Sequence, residues 1–343
     1  MNQPTPRSLG YVMPAEWEPQ EAIWLTWPHN ELTWPEGMLP EVERTYVEII
    51  RALHTAQKIR LLVKDNEAEM RVRLALDRED IALTQIDFIL LAAEDSWIRD
   101  YGPTFVVNRE QRQLAMVKWT FNAWGNKYDD LIADDRIPAE LNKNLRLPVF
   151  EAGIVLEGGS IEVNGAGTVL TTEQCLLNKN RNPQLSRSEI EEYLKEYLNI
   201  SKVLWLREGI AGDDTDGHID DIARFVSRDT VLCAFEDDTA DENYKILAEN
   251  YDRLLRGFGL NVVKLPMPGY IGDRHARLPA SYANFYIGNA AVIVPIFDHP
   301  NDRPALDIIQ RCFPGRRVVG VRATAMVHGL GTVHCCSQQE PRL

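Results

Sequence analysis

A short polar patch recurs five times along this 343-residue chain, each time ahead of a β-type run, and that recurrence limits the folds open to it. Measured at Asp100, Glu157, His218, Asn284 and Cys335, the patches lie 57, 61, 66 and 51 residues apart. The runs that follow are Thr104 to Asn108, Ile161 to Thr171, Ile222 to Phe235, Phe285 to Phe297 and a short terminal strand. Helical periodicity fills three of the gaps, at Ser186 to Leu198, Asp241 to Phe258 and Arg303 to Phe313, the first opening on a Ser186/Glu189 capping box, and it also marks Glu41 to Thr55 ahead of the first patch. Strands are expected at Glu21 to Pro28 and at Lys58 to Lys64, with a further helix from Asn66 to Leu76. Units of this length point to a closed ring or a solenoid, and a ring would bring every patch to one axis. A doubly wound α/β sheet is the second choice, but hairpins after each patch fit it poorly.

The length leaves one large pseudo-repeated domain or two domains open, and no low-complexity linker divides the chain. A net charge of −14 disfavours nucleic acid and anionic membranes as partners and favours cations. No long apolar run spans a bilayer, and the polar start at Met1 to Pro6 lacks a signal-like core, so a cytoplasmic protein is expected. Five cysteines in no regular framework read as reduced thiols. Trp17, Trp24, Trp27 and Trp34 read as core, with one of them near a pocket as the alternative.

The densest patch is Asp213-Asp214-Thr215-Asp216-Gly217-His218-Ile219-Asp220-Asp221. In an extended segment His218 and Asp220 would share a face, with Ile219 and Asp221 on the other. Such a pair suits a cationic, proton-exchanging ligand. A calcium loop fails, because alignment on Asp214, Asp216 and Gly217 puts Gly212 at the first ligand position and Ala223 where glutamate belongs. Near the end, Gly329 and Gly331 precede Val333-His334-Cys335-Cys336. On a strand only one of the two thiols can face a site, and the adjacent cysteines lack zinc spacing. A nucleophilic cysteine needs thiolate character, which a neighbouring cation supplies. The acids Asp100, Glu157 and Asp220 match the donor fork of a guanidinium. One cysteine, one histidine and three acids suggest attack on a guanidinium carbon. Arg99, adjacent to Asp100, reads as an ion-pair partner facing away from the site, and His334 and Cys336 read as packing residues.

These residues lie in motifs that run through most of the chain: Met13 to Pro19, Asp95 to Thr104, Phe121 to Gly125, Leu156 to Ser160, Leu176 to Pro183, Gly217 to Asp220, Tyr282 to Tyr286 and Gly331 to Cys335. In them the chain resembles the agmatine deiminases and the related Porphyromonas-type peptidylarginine deiminases of the guanidine-modifying superfamily. The resemblance implies a single catalytic domain over residues 1–343, a five-bladed pseudosymmetric α/β propeller (pentein fold) with its site on the central axis. It implies Cys335 as nucleophile and His218 as the group that protonates ammonia and then activates water. Asp100 and Asp220 would hold the guanidinium, Glu157 would stand beside them, and Trp97 and Asp214 would contact substrate. No metal or organic cofactor is implied.

The implied reaction is agmatine plus water to N-carbamoylputrescine and ammonia. A citrulline-forming peptidyl-arginine deiminase is the alternative, and a non-catalytic cation-binding protein ranks below both. The expected partner is a small guanidinium cation, with no nucleic acid, no membrane and a homodimer allowed. Leu330 and Thr332 stand where agmatine enzymes usually carry glycine and asparagine, which bears on the substrate tail rather than on the chemistry.

Overall fold

The computed structural model describes residues 4–35 and 37–343, so part of the expectation about Met1 to Pro6 lies outside the described residues. Blade one opens with β1 (Gln20–Thr26), β2 (Lys58–Val63) and β3 (Ile86–Leu90), joined in parallel. Their crossovers are the helices Leu39–Leu53 and Asn66–Asp77, the first burying Val42, Tyr46, Ile49, Ile50 and Leu53 on one face. That spacing is the apolar stripe of a surface helix, which supplies most of its stability through packing.

The next four blades share one plan: a hairpin, a helix, and a return in parallel beside the second strand. Blade two is β4 (Thr104–Asn108), β5 (Gln113–Thr120) and β6 (Val149–Val155). Blade three is β7 (Glu162–Val163), β8 (Thr168–Thr172) and β9 (Lys202–Leu206). Blade four is β10 (Ala223–Phe225), β11 (Thr230–Phe235) and β12 (Asn261–Pro266). Blade five is β13 (Tyr286–Ile287), β14 (Ala291–Ile296) and β15 (Arg317–Arg322). Finally β16 (Ser337–Pro341) pairs antiparallel with β1, so blade one is completed by the far end of the chain. The protein is thus an α/β ring of five sheets, as its repeats foretold.

Helix Arg187–Leu198 has the expected capping box, with Ser186 accepting from Glu189 N–H. The helix expected over Asp241 to Phe258 is regular only over Asn243–Asp252 and finishes in a π turn at Arg253–Gly257. Each anticipated β-run after a patch resolves into a hairpin, apart from the terminal one.

The inner strands meet around a polar axis rather than an apolar one. Arg224 on β10 donates to Glu162 on β7 and to Glu16, both at 2.9 Å, and its guanidinium also reaches the Phe285 carbonyl. Arg99 donates to Gln338 and Gln339 from β16 at 2.9 and 2.7 Å, and it lies 3.7 Å from Glu16. All of these groups are buried. Buried ions persist only when paired and hydrogen-bonded, so the axis fixes how the blades register on one another. Arg99 is the ion-pair partner expected, although it sits on a helical turn, Ile98–Tyr101, and not on a strand.

Candidate active site

The strand at one edge of each sheet is preceded by a polar patch: Asp100 before β4, Glu157 before β7, His218 and Asp220 before β10, Asn284 before β13 and Cys335 before β16. The ring therefore carries residues that are far apart in sequence to one end of the axis. Two of them, Asp100 and Cys335, line the floor of a cavity of about 220 Å³ whose other walls include Trp97, Trp124, Asp214 and Leu330. His218, Asp220 and Glu157 lie behind that floor, fully buried.

Asp100 is held from two sides, by the Trp124 indole N–H on Oδ2 and the Gly159 amide on Oδ1, both at 2.9 Å. Burial pushes its carboxyl up to about 6, with Asp220 and Glu157 adding to the effect and His218 opposing it. His218 Nδ1 lies 3.7 Å from Asp100 Oδ1. Burial alone would push the imidazole down, but Asp100, Cys175 and Asp220 outweigh it and raise it well above its ordinary value. Gly159 lies directly beneath these groups. A Cβ there would fall 2.6 Å from His218 Nδ1, 2.8 Å from Asp100 Oδ1 and 3.1 Å from Asp220 Oδ2.

The Asp213 to Asp221 stretch is not extended. Asp213 accepts from the Gly217 and His218 amides at 2.9 and 3.1 Å, and Ile219–Asp221 forms a 3-10 turn. Because that turn breaks the period-two alternation, Asp221 does not point away from the site. Carboxylate oxygens of Asp220 and Asp221 and the Cys335 sulfur all lie within 4.8 Å of one another. Asp214 lines the cavity and is bonded by the Tyr128 hydroxyl, while Asp216 pairs with Arg181 at 2.6 Å and Lys127 at 2.9 Å.

Cys335 lies in a turn just ahead of β16, not on the strand, and its sulfur is 3.9 Å from Asp220 Oδ2. Burial holds the thiol well above its ordinary value, and Asp220, Asp221 and Asp100 add to that while the Thr332 backbone opposes it. Cys336 points the other way, onto the Val333 carbonyl at 3.3 Å. Only one of the adjacent thiols therefore faces the cavity. Gly331 is needed for close approach rather than for flexibility, since a Cβ would lie 2.7 Å from the Trp97 ring. The left-handed residue of this segment is Leu330, at φ 66°. Trp97 is fixed through its indole N–H on Asp95 at 3.1 Å and by Trp34, whose ring centre lies 5.4 Å away. Trp34 is thus the N-terminal tryptophan nearest the pocket.

Glu157 does not stand free beside the other acids. Its Oε1 accepts from Arg181 Nε at 2.7 Å, and its Oε2 has no partner among the described residues. Glu157, Cys175 and a His218 nitrogen form a second set of close ligand atoms, within 4.8 Å of one another. A metal ion there would meet the Arg181 guanidinium, and one between Asp220, Asp221 and Cys335 would occupy the ground of a guanidinium. Cys175 is fully buried and also lies against His218.

Several groups escaped the sequence reading. Trp124, Arg181 and Asn284 lie inside motifs already singled out, yet nothing local marks them as partners of Asp100, Glu157 and Cys335. His334 is buried, as expected for packing, but its Nδ1 lies 2.7 Å from Asp220 Oδ2 and its Nε2 2.8 Å from Glu16 Oε2.

The chain is similar to known deiminases along nearly its whole length. Residues 12–341 match the family model for Porphyromonas-type peptidyl-arginine deiminase. Agmatine deiminase of Ectopseudomonas mendocina is 38% identical, with 98% of this chain and 97% of that protein covered. The solved agmatine deiminase of Enterococcus faecalis superposes with a TM-score of 0.90 at 35% identity, covering 100% of this chain and 99% of that one. A C. jejuni agmatine deiminase variant solved with substrate bound gives a TM-score of 0.87 at 32% identity over 96% of each chain.

Proposed function

The chain belongs to the Porphyromonas-type peptidyl-arginine deiminase family, and on that premise we propose that it hydrolyses agmatine to N-carbamoylputrescine and ammonia. The observation that carries the reading is one buried thiol facing carboxylates at the floor of a small acidic cavity. At about 220 Å³ the cavity falls below the roughly 300 to 1,000 Å³ of a drug-sized ligand site, which suits a free guanidine better than a peptide.

In the proposed mechanism Asp100 and Asp220 flank the guanidinium, and its positive charge offsets the carboxylates that hold the Cys335 thiol protonated. The thiol gives up its proton to solvent as the substrate cation binds, and the thiolate attacks the guanidinium carbon. Charged His218 gives its proton to the departing nitrogen, the C–N bond breaks, and ammonia leaves an amidino-thioether on Cys335. Neutral His218 then takes a proton from water as the water adds to that carbon. The C–S bond breaks as the added hydroxyl loses its proton to solvent, releasing the urea-type product and Cys335 as a thiolate that is reprotonated when the product leaves. Splitting the hydrolysis replaces one high barrier with two lower ones. Arg181 pairs with Glu157 at 2.7 Å and holds that carboxylate in place beside His218. Trp97 walls the methylene chain of the substrate, and Asp214 offers a carboxylate near the cavity mouth for its distal cation.

The test measures ammonia release from agmatine, free arginine and a blocked arginyl peptide side by side. Agmatine should be the preferred substrate by at least about 100-fold in kcat/KM, equivalent to about 2.7 kcal/mol in the transition state. Turnover of the peptide alone would refute the substrate while sparing the mechanism.

A further inference from the structure

Asn284 is the one patch residue to which the mechanism assigns nothing, and it touches the reacting atom. Its side chain is fully buried between the entrance to β13 and the turn that carries Cys335. Its amide oxygen accepts from Thr332 Oγ1 at 2.8 Å, His334 N at 2.9 Å and Cys335 N at 3.3 Å. Three donors on one oxygen fix which way the amide lies, because the NH2 group could accept from none of them. The nitrogen is thereby turned onto Cys335 Sγ, 3.0 Å away.

We propose that Asn284 is a catalytic residue, whose N–H donates to the Cys335 sulfur and stabilises it as a thiolate both when it attacks and when it departs. This rests on Cys335 being the nucleophile. The sulfur lies among Asp220, Asp221 and Asp100, all three of which disfavour negative charge on it. A neutral donor offsets that field without a fixed cation, which would repel the guanidinium. In the first half-reaction the sulfur lone pair forms the C–S bond while the C–N π electrons move to nitrogen, and the N–H···S bond weakens. When water has added and the C–S bond breaks, the electron pair returns to sulfur and the bond strengthens again. Hydrogen bonds to an ionised partner exceed neutral ones, so Asn284 acts most on the two steps in which sulfur carries charge. No further reactant is required.

The test uses the full chain without substrate, following alkylation of Cys335 by iodoacetamide across pH, with kcat and KM for ammonia release measured beside it. Asn284→Asp keeps the accepting oxygen and the shape but removes the amide donor, and Asn284→Ser leaves only a hydroxyl too short to reach the sulfur, without adding charge. Both should raise the midpoint of alkylation by at least about one pH unit. Both should lower kcat at least about tenfold while KM stays within about threefold. A purely structural role would lower the melting temperature and leave the alkylation midpoint in place. The proposal is overturned if Asn284→Asp keeps the parent midpoint, or if Asn284→Asp raises it while Asn284→Ser does not, because charge alone would then explain the rise. Alkylation needs no substrate, so a parent protein that alkylates normally but ignores agmatine would count against the substrate and not against Asn284.

Discussion

His334 Nδ1 lies 2.7 Å from Asp220 Oδ2, so the residue beside Cys335 in sequence holds the carboxylate beside it in space. Its Nε2 faces Glu16 Oε2 at 2.8 Å, so a carboxylate stands at each ring nitrogen. Burial works against ionised Asp220, but the hydrogen bond and charge of His334, helped by His218 and Arg224, keep its carboxyl below the ordinary range. His334 is therefore a positioning residue that links the cavity to the polar axis.

Replacing it tests that link. His334→Gln should raise KM for agmatine at least about tenfold and shift the acid limb of the pH profile to higher pH, because Asp220 is no longer held ionised. Stability should fall by about 3 to 5 kcal/mol, the scale for a buried charge left unpaired. A destabilised variant with an unmoved acid limb would reduce His334 to a packing role.

The pH dependence of kcat/KM should be bell-shaped. Asp100, raised to about 6, must be ionised to hold the guanidinium, so activity should fall about tenfold per unit below about pH 6. His218 is raised above its ordinary value and must be charged to protonate ammonia, so the alkaline limb should lie well above neutrality. Ammonia release that stays flat between about pH 5 and 9 would contradict the Asp100 assignment, and a fall in rate that begins below neutrality on the alkaline side would contradict that of His218.

Asp100 should cost stability in return for binding. Its folded value exceeds the unfolded one, so the folded state holds the proton more tightly. The contribution from that proton is complete below about pH 4 and is lost as pH rises through about 6. Asp100→Asn should therefore melt higher than the parent at pH 7, by up to about 3 kcal/mol, with little gain near pH 4. Thermal melts at the two pH values decide it. The same variant should bind agmatine poorly.

Of the two adjacent thiols only one should matter for turnover. Cys335→Ala should abolish ammonia release, by at least about 10⁴-fold. Cys336→Ala should keep activity within about threefold and lose about 1 kcal/mol of stability from its buried site. The reverse pattern would overturn the assignment.

Gly159→Ala places one methyl among three catalytic groups that a Cβ would approach at 2.6, 2.8 and 3.1 Å. Displacement by even an ångström should lower kcat/KM by about 100-fold. Far-ultraviolet circular dichroism should show the fold unchanged, and parent-like activity would mean that the floor yields more readily than its packing suggests.

The ring was legible because each of its units is local: a hairpin, a helix such as Arg187–Leu198 with its capping box, and a parallel return. Cys335, Asp100, His218 and Asp220 could be singled out because their chemistry and motifs coincide, and all four are gathered at the axis. The error at Asp221 came from assuming an extended backbone where Asp213 folds a turn onto the Gly217 and His218 amides. His334 was hidden for a different reason. Its two carboxylates are 114 and 318 residues away in sequence, and no local pattern marks a pairing of that kind. The same holds for Arg224, which sits on a three-residue strand too short to display any period.

Because each blade contributes its own member of the constellation, no sub-assembly of the ring contains a working fraction of it. Opening one blade removes a whole chemical function, whether base, clamp or nucleophile, while the other four sheets can remain folded. Turnover is then an all-or-none gauge of ring integrity. During denaturation, activity should vanish with the first blade that opens, even where helical signal persists.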